Sequence, residues 1–387
     1  MAVYVHPWNL GFGLIPPTMP YEVVMATMQV GSFSVTEESF PAGANVVHGT
    51  TQTIILRDLL FLAGLMGTPA KQNTYAAWGN LLSHYSDLVV DKGEWRLCPE
   101  ADGWDSTAKG QLMYRLGMGM AGWMLWQHYG IIHIADAEPF IGQALATCDP
   151  AFAGAWLKSQ KKYGKKGGYK PDLFCLNGQG QAVIVEPKGR EGSPGVVKGD
   201  KEKGKKQVAN VSPQGVPLAP TLGNLVVATT FRISGHTVRS GKGSQVAVVD
   251  PEEALDALPV PMSVEDIMLA SYAKVLRHVG QEQLALMLEL SGEGLLDGDD
   301  IREALDVDTL GLAQLPLAVV GDTVIGIEAG VALALLTAPV EPGNGSVYQR
   351  VQSAIEFLPS VTDRVLRNAR RTVLPNGVVI GSVPRRG

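Results

Sequence analysis

Apolar residues recur along this chain with two different periods, and each change of period marks a predicted element. Leu173 to Leu176 and Ala182 to Val185 are unbroken apolar runs bounded by Gly, Asn and Pro, the pattern of short strands buried on both faces. Gly178-Gln179-Gly180 between them predicts a three-residue hairpin loop, with Gly180 supplying the left-handed residue and Asn177 opposite Gln181. Counting back from that pair sets Asp172 opposite Glu186. The hairpin therefore carries its charged residues only at its open end.

Upstream, Glu22 to Val35 alternates and predicts one or two strands, while Thr53 to Met66 and Thr74 to Val90 have wide apolar faces and read as helices. An Asn73-Thr74 cap opens the second of these. Ser106 to Tyr129 is a long, nearly all-apolar helix opened by Asp105-Ser106 and closed by Gly130, and Ile131 to Ile134 is a short strand. Asp149-Pro150 opens a helix over Ala151 to Gln160. After the hairpin come a helix over about Asp200 to Val211, a β-branched strand over Asn224 to Ile233 and another strand over Gln245 to Val249. Ser263-Val264-Glu265-Asp266 is a partial capping box for a helical region reaching about Leu290. Residues 291 to 310 are acidic and Gly-rich with a helix at Ile301 to Leu305. The tail mixes a hairpin, helices and a basic cluster, Arg364, Arg367, Arg370 and Arg371, suited to nucleic acid or a partner subunit.

Length and composition narrow the class. The 387 residues suit two or three domains, and 45% hydrophobic with 18% charged residues describes a globular chain. Cys98, Cys148 and Cys175 lie far apart with no CxxC pair, which argues against a disulfide framework or a zinc site and sets a reducing cytoplasm as the expectation. The longest apolar run, Leu116 to Trp126, is too short to span a bilayer, and residues 1 to 13 have no signal-peptide pattern, so no membrane association is expected.

Charge changes the picture more. The chain carries a net −6, yet between Lys158 and Lys206 thirteen basic residues face five acidic ones, a +8 island suited to a polyanion. Within that island Glu186 and Lys188 are two apart and share a strand face, and the opposed Asp172 shares it too. Opposed carboxylates repel unless a cation lies between them, and two hard oxygen donors suit Mg²⁺ or Mn²⁺. Lys188 beside such an ion is placed to orient an attacking water or to stabilise charge growing on a phosphate.

Pro171-Asp172 followed by Glu186-Pro187-Lys188 at the far end of a hairpin resembles the PD-(D/E)xK nuclease superfamily, the restriction-endonuclease-like fold. The resemblance implies that Asp172 and Glu186 bind the divalent ion and that Lys188 assists water attack. It implies an α/β class, a mixed sheet flanked by helices over residues 106–255; the patterning adds an N-terminal region over 1–105, mainly helical after residue 50, and an α+β accessory region over 256–387. Strand, strand, helix, strand matches the second half of that core, whose helix often carries a Gln and basic residues facing the substrate. Lys205, Lys206 and Gln207 stand at that position, and Lys170 precedes the first ligand. No Tyr follows Gln207 by four residues, and Pro187 removes a strand donor. The superfamily core also begins with a helix and a strand, the helix often bearing another acidic ligand. With Ser106 to Tyr129 and Ile131 to Ile134 in those places, residues 139 to 168 are an insertion and no acid lies on the inner part of the helix; with the helix starting near Pro139 instead, Glu138 is the available further acid, but no first strand then precedes Pro171.

The implied activity is metal-dependent hydrolysis of phosphodiester bonds, in DNA foremost, as in restriction or anti-phage defence, with a protein partner or a second copy of the chain as a further partner. The alternative is a non-catalytic nucleic-acid-binding or assembly protein that keeps a nuclease-like fold. Three other features carry no chemistry. Gly117-Met118-Gly119-Met120-Ala121-Gly122 matches a dinucleotide fingerprint in form, but it lies inside a helical pattern and predicts close helix packing instead. His48 and His84 have no partner at metal spacing, and Asp297-Gly298-Asp299-Asp300 lacks the ligand order of a calcium loop.

Overall fold

A computed structural model describes residues 29–40, 46–67, 84–162, 170–192, 197–220, 222–235, 244–249, 257–291, 299, 301–302, 306–307, 313–320, 323–337, 346–358 and 371–382. They fall into two compact units, and the boundary at 268/269 lies within a helix. In the first unit nine strands form one mixed sheet. They are β1 (Val30–Glu38), β2 (Thr51–Ile55), β3 (Leu88–Asp91), β4 (Glu94–Leu97), β5 (Ile131–Asp136), β6 (Leu173–Asn177), β7 (Ala182–Glu191), β9 (Asn224–Phe231) and β10 (Gln245–Val249), with the short β8 (Val211–Gln214) lying apart. The order across the sheet is β3-β4-β1-β10-β9-β7-β6-β5, with β2 also paired to β1. β5, β6 and β7 run antiparallel in succession, and β9 then lies parallel to β7. A parallel neighbour requires a crossover, here the helix that follows β7. β8 pairs with β11 (Leu258–Pro261) in a separate two-stranded sheet.

The unit's helices are α1 (Leu56–Gly67), α2 (Ser106–His128), α3 (Ala137–Thr147), α4 (Pro150–Lys162) and α5 (Val197–Ala209). Asp105 opens α2 as predicted, its Oδ1 accepting from the N–H groups of Thr107 and Ala108. α2 lies between α1 and the sheet, and its residues from Leu116 to Trp126 are buried. All twelve residues of α1 are buried, including Arg57 and Asp58, which pair at 2.9 Å as buried charges must. The glycines inside α2 serve packing: a Cβ at Gly119 would stand 2.6 Å from Ala63 N of α1. The dinucleotide match is thus a helix-crossing seam.

Several boundaries differ from expectation. The segment read as a helix over Thr53 to Met66 begins as β2, because Thr-Ile-Ile pairs with β1 before the apolar run turns helical at Leu56. Leu88 to Val90, expected at the end of a helix, form β3; residues 74–83 of that segment lie outside the described set, as do residues 22–28 of the first alternating stretch. The first 105 residues do not stand apart as a mainly helical region: β1 pairs in parallel with β10, so residues 29–67 and 84–105 belong to the same unit as the hairpin.

A helix α6 (Val264–His278) spans the boundary between the units. Ser263 Oγ accepts from the Asp266 N–H, and Asp266 Oδ2 accepts from the Ser263 N–H at 2.8 Å, completing the capping box. The helical region expected to run to Leu290 breaks at Gly280, whose φ of 83° ends α6 before α7 (Glu282–Ser291). The second unit carries a five-stranded sheet in the order β12-β13-β14-β16-β15. Its strands are β12 (Asp306–Val307), β13 (Ala313–Val320), β14 (Thr323–Glu328), β15 (Arg371–Val373) and β16 (Val378–Ser382). Helices α8 (Ala329–Leu336) and α9 (Val347–Glu356) accompany it, and Tyr272 of α6 donates to Asn376 O at 2.7 Å. Residues 292–298, most of the helix expected over 301–305, and Arg364, Arg367 and Arg370 lie outside the described set.

Candidate active site

The β6–β7 hairpin has the register its turn dictates. Leu173 pairs with Val185 and Leu176 with Ala182, Asn177 N–H donates to Gln181 O at 3.0 Å, and Gly180 has φ 71°. The same count brings Asp172 to Glu186, whose Oε2 accepts from the Asp172 N–H at 3.0 Å. Lys188, two residues on, turns its ammonium to the other oxygen, Oε1. The Asp172 N–H and the Lys188 side chain thus meet on the Glu186 carboxylate at the open end of a buried hairpin.

Glu186 is fully buried. Part of its cover is α5, where Gly204 has no side chain: a Cβ there would stand 2.6 Å from Val226 Cγ1 and 3.5 Å from Glu186 Cγ. Burial, and next the charge of Asp172, push the Glu186 carboxyl up to about 8, while Lys188 and the Asp172 N–H pull the other way without cancelling them. Tyr114 of α2, 43% exposed, lies within the field of Asp172, Glu186, Asp136 and Glu138, and burial plus those four carboxylates raise its phenol. A local excess of negative charge is what a bound cation relieves.

Two carboxylates are the donor type that a hard divalent ion takes. Among the described residues no three His, Cys, Asp or Glu side chains gather into a metal cage. Mg²⁺ needs none: it keeps several waters and takes one or two carboxylates from the protein. Asp172 and Glu186 supply that number, and Glu138, the further acid named from sequence, is exposed in the first turn of α3.

Two glycines bring α2 onto the site. A Cβ on Gly189 would meet Met113 O at 1.8 Å, and one on Gly117 would meet Gly189 Cα at 2.6 Å, so α2 crosses β7 directly after Lys188 with backbone against backbone. The crossing leaves a cleft of about 430 Å³ between the first turns of α2, the end of β7 and the start of α5, with Lys188 and Tyr114 in its wall. Sequence reasoning passed over this cleft, since Tyr114 and Lys188 are 74 positions apart in the numbering and meet only through the glycine contact.

The residues expected to face substrate are divided. Lys206 is exposed, Lys205 is half-buried and pairs with Glu202 at 3.1 Å, and Lys170 is half-buried. Gln207 is 7% exposed, and its Nε2 donates to Lys170 O at 2.8 Å, tying α5 to the segment that leads into β6. His48 Nδ1 accepts from the Glu37 N–H at 3.1 Å and His84 pairs with Asp87, so both histidines hold structural contacts. The three cysteines are unbridged. Among the described residues no helix is long and apolar enough to cross a membrane. No protein-family model, curated protein or solved structure matches the chain.

Proposed function

We propose that this chain is a divalent-metal-dependent nuclease of the PD-(D/E)xK kind, hydrolysing phosphodiester bonds in DNA. The observation that carries this reading is the meeting of the Asp172 N–H and Lys188 on the Glu186 carboxylate, within reach of the Asp172 charge. The order of elements supports it: α2, β5, then β6, β7, α5 and β9, with α3 and α4 as the insertion between β5 and β6. Asp172 and Glu186 would hold Mg²⁺ or Mn²⁺, which when bound lowers the pKa of a coordinated water and offsets phosphate charge. Lys188 stands beside the Glu186 carboxylate, where negative charge would build on the phosphate being attacked. Burial under α5 excludes bulk water from Glu186 and strengthens every charge interaction there.

A second reading, a non-catalytic protein that keeps the nuclease-like fold, is favoured by one observation: both oxygens of Glu186 already have partners, the Asp172 N–H and Lys188. Cutting of supercoiled plasmid, single-stranded DNA and RNA with Mg²⁺ or Mn²⁺ separates the two. Metal-dependent products that Glu186→Ala and Lys188→Ala both abolish are expected. A wild-type chain that cuts nothing with either ion, and whose metal affinity is unchanged by Glu186→Ala, overturns the nuclease.

A further inference from the structure

The cleft beside Lys188 has a chemistry of its own. Its wall holds four cations, Lys109, Lys188, Arg190 and Lys203, against two acids, Glu191 and Asp200. Glu191 pairs with Lys109 at 3.1 Å and Asp200 with Arg190 at 2.9 Å, so the acids hold cations from neighbouring elements in place around the opening. Two aromatic residues, Trp104 and Tyr114, share the wall with them. Cations that track phosphates, interleaved with aromatic rings that stack bases, are how proteins hold single-stranded nucleic acid. The volume, about 430 Å³, lies at the low end of the roughly 300–1,000 Å³ of sites that enclose small molecules, room for one unpaired nucleotide rather than a base pair.

We infer that this cleft binds one unpaired nucleotide of a DNA strand, its base against Trp104 or Tyr114 and its flanking phosphates on Lys109, Arg190 and Lys203. The preferred substrate is then single-stranded DNA or a frayed end, and intact duplex binds more weakly because a base has to leave its stack. That the bound strand is cut next to Lys188 rests on the nuclease reading above; binding itself does not.

Gly110 gives a clean test. It lines the cleft, and a Cβ there meets nothing within 4 Å, so a side chain projects into the opening without disturbing the core. Fluorescence anisotropy with a labelled twelve-nucleotide thymidine strand, its duplex with the complementary adenosine strand, and thymidine monophosphate as competitor is run in EDTA, where no cutting occurs. Single strand is expected to bind at least ten-fold more tightly than duplex. Gly110→Glu is expected to lose ten-fold or more in single-strand affinity, and Gly110→Ala to match wild type. Trp104→Ala should lose about five-fold or more, in line with the loss of one stacked base. Lys203→Ala should lower the slope of log affinity against log salt by about 0.7. Competition by thymidine monophosphate points to the nucleotide alone as sufficient ligand, and its absence with retained strand binding to a nucleotide within a chain; both agree with the inference. Equal affinity for single strand and duplex, or Gly110→Glu binding like wild type, overturns it. Binding that Gly110→Glu abolishes, with no cutting under any metal, sinks the nuclease and leaves the cleft; cutting and strand binding that ignore Gly110→Glu do the reverse.

Discussion

Alanine at Gly189 probes how the site is assembled. Its Cβ would lie 1.8 Å from Met113 O, 2.7 Å from Met113 C and 3.0 Å from Gly117 Cα. All three are backbone atoms of α2, so no change of rotamer relieves them. A carbon and a carbonyl oxygen sit no closer than about 3.3 Å in ordinary contact, so the chains must part by roughly 1.5 Å. α2 cannot retreat freely, because on its course it also lies close against α1, where a Cβ on Gly119 would stand 2.6 Å from Ala63 N. Overpacking a core costs about 1–3 kcal/mol and more when backbone has to shift, which puts Gly189→Ala at about 3 kcal/mol or above. Gly110→Ala is the control: its Cβ meets nothing within 4 Å, and a helical Gly replaced by Ala gains roughly 0.8 kcal/mol. Urea unfolding followed by tryptophan fluorescence reads both, since Trp95, Trp104, Trp123, Trp126 and Trp156 all lie in the unit concerned. With a slope near 3 kcal/mol per molar, the midpoint of Gly189→Ala should fall by about 1 M or more. A midpoint equal to that of wild type would refute the backbone contact that places Lys188 beside α2.

Two further outcomes follow from buried carboxylates. Glu186 holds its proton up to about 8 in the folded chain against 4.5 as its ordinary value, so its contribution to the stability of the metal-free protein is fully present below about 4.5 and is lost as pH rises toward 8. The loss is on the order of 1.4 kcal/mol per pH unit at its steepest, Glu186→Gln should remove it, and Mn²⁺ should suppress it; urea midpoints from pH 5 to 9 that fall no more steeply than those of Glu186→Gln would contradict this. Buried Glu37 accepts from Tyr129 Oη at 2.6 Å and from the N–H groups of Val46 and Val47. Tyr129→Phe deletes one charge-assisted bond and should cost about 1.5–3 kcal/mol in urea unfolding, and an unchanged midpoint would show that bond to be dispensable.

The hairpin was legible because its information is local. A Gly at the left-handed position and two apolar runs fix the register, and the register alone carries Asp172 to Glu186. α2 and its Asp105 cap were legible for the same reason. The wider sheet was not: β1 pairs in parallel with β10 across some two hundred residues, and no local signal announces such a partner. β2 was hidden because Thr-Ile-Ile runs straight into the apolar face of α1, where strand and helix patterns cannot be told apart. Gln207 shows the limit of reading a position from family resemblance: the residue stands on the expected helix, but its side chain turns inward to Lys170 O. The cleft was invisible in sequence, since only the Gly117–Gly189 contact brings Trp104, Lys109 and Tyr114 to Lys188.

The central claim is that Asp172 and Glu186 hold the ion while Lys188 serves the chemistry. It is tested most directly by measuring Mn²⁺ affinity by calorimetry and the single-turnover cleavage rate side by side in wild type and Lys188→Ala. Mn²⁺ affinity is expected to stay within a few-fold and cleavage to fall by about a hundred-fold or more, comparable to the loss of one preorganised charge-stabilising group. Lys188→Ala cutting at the wild-type rate would contradict it.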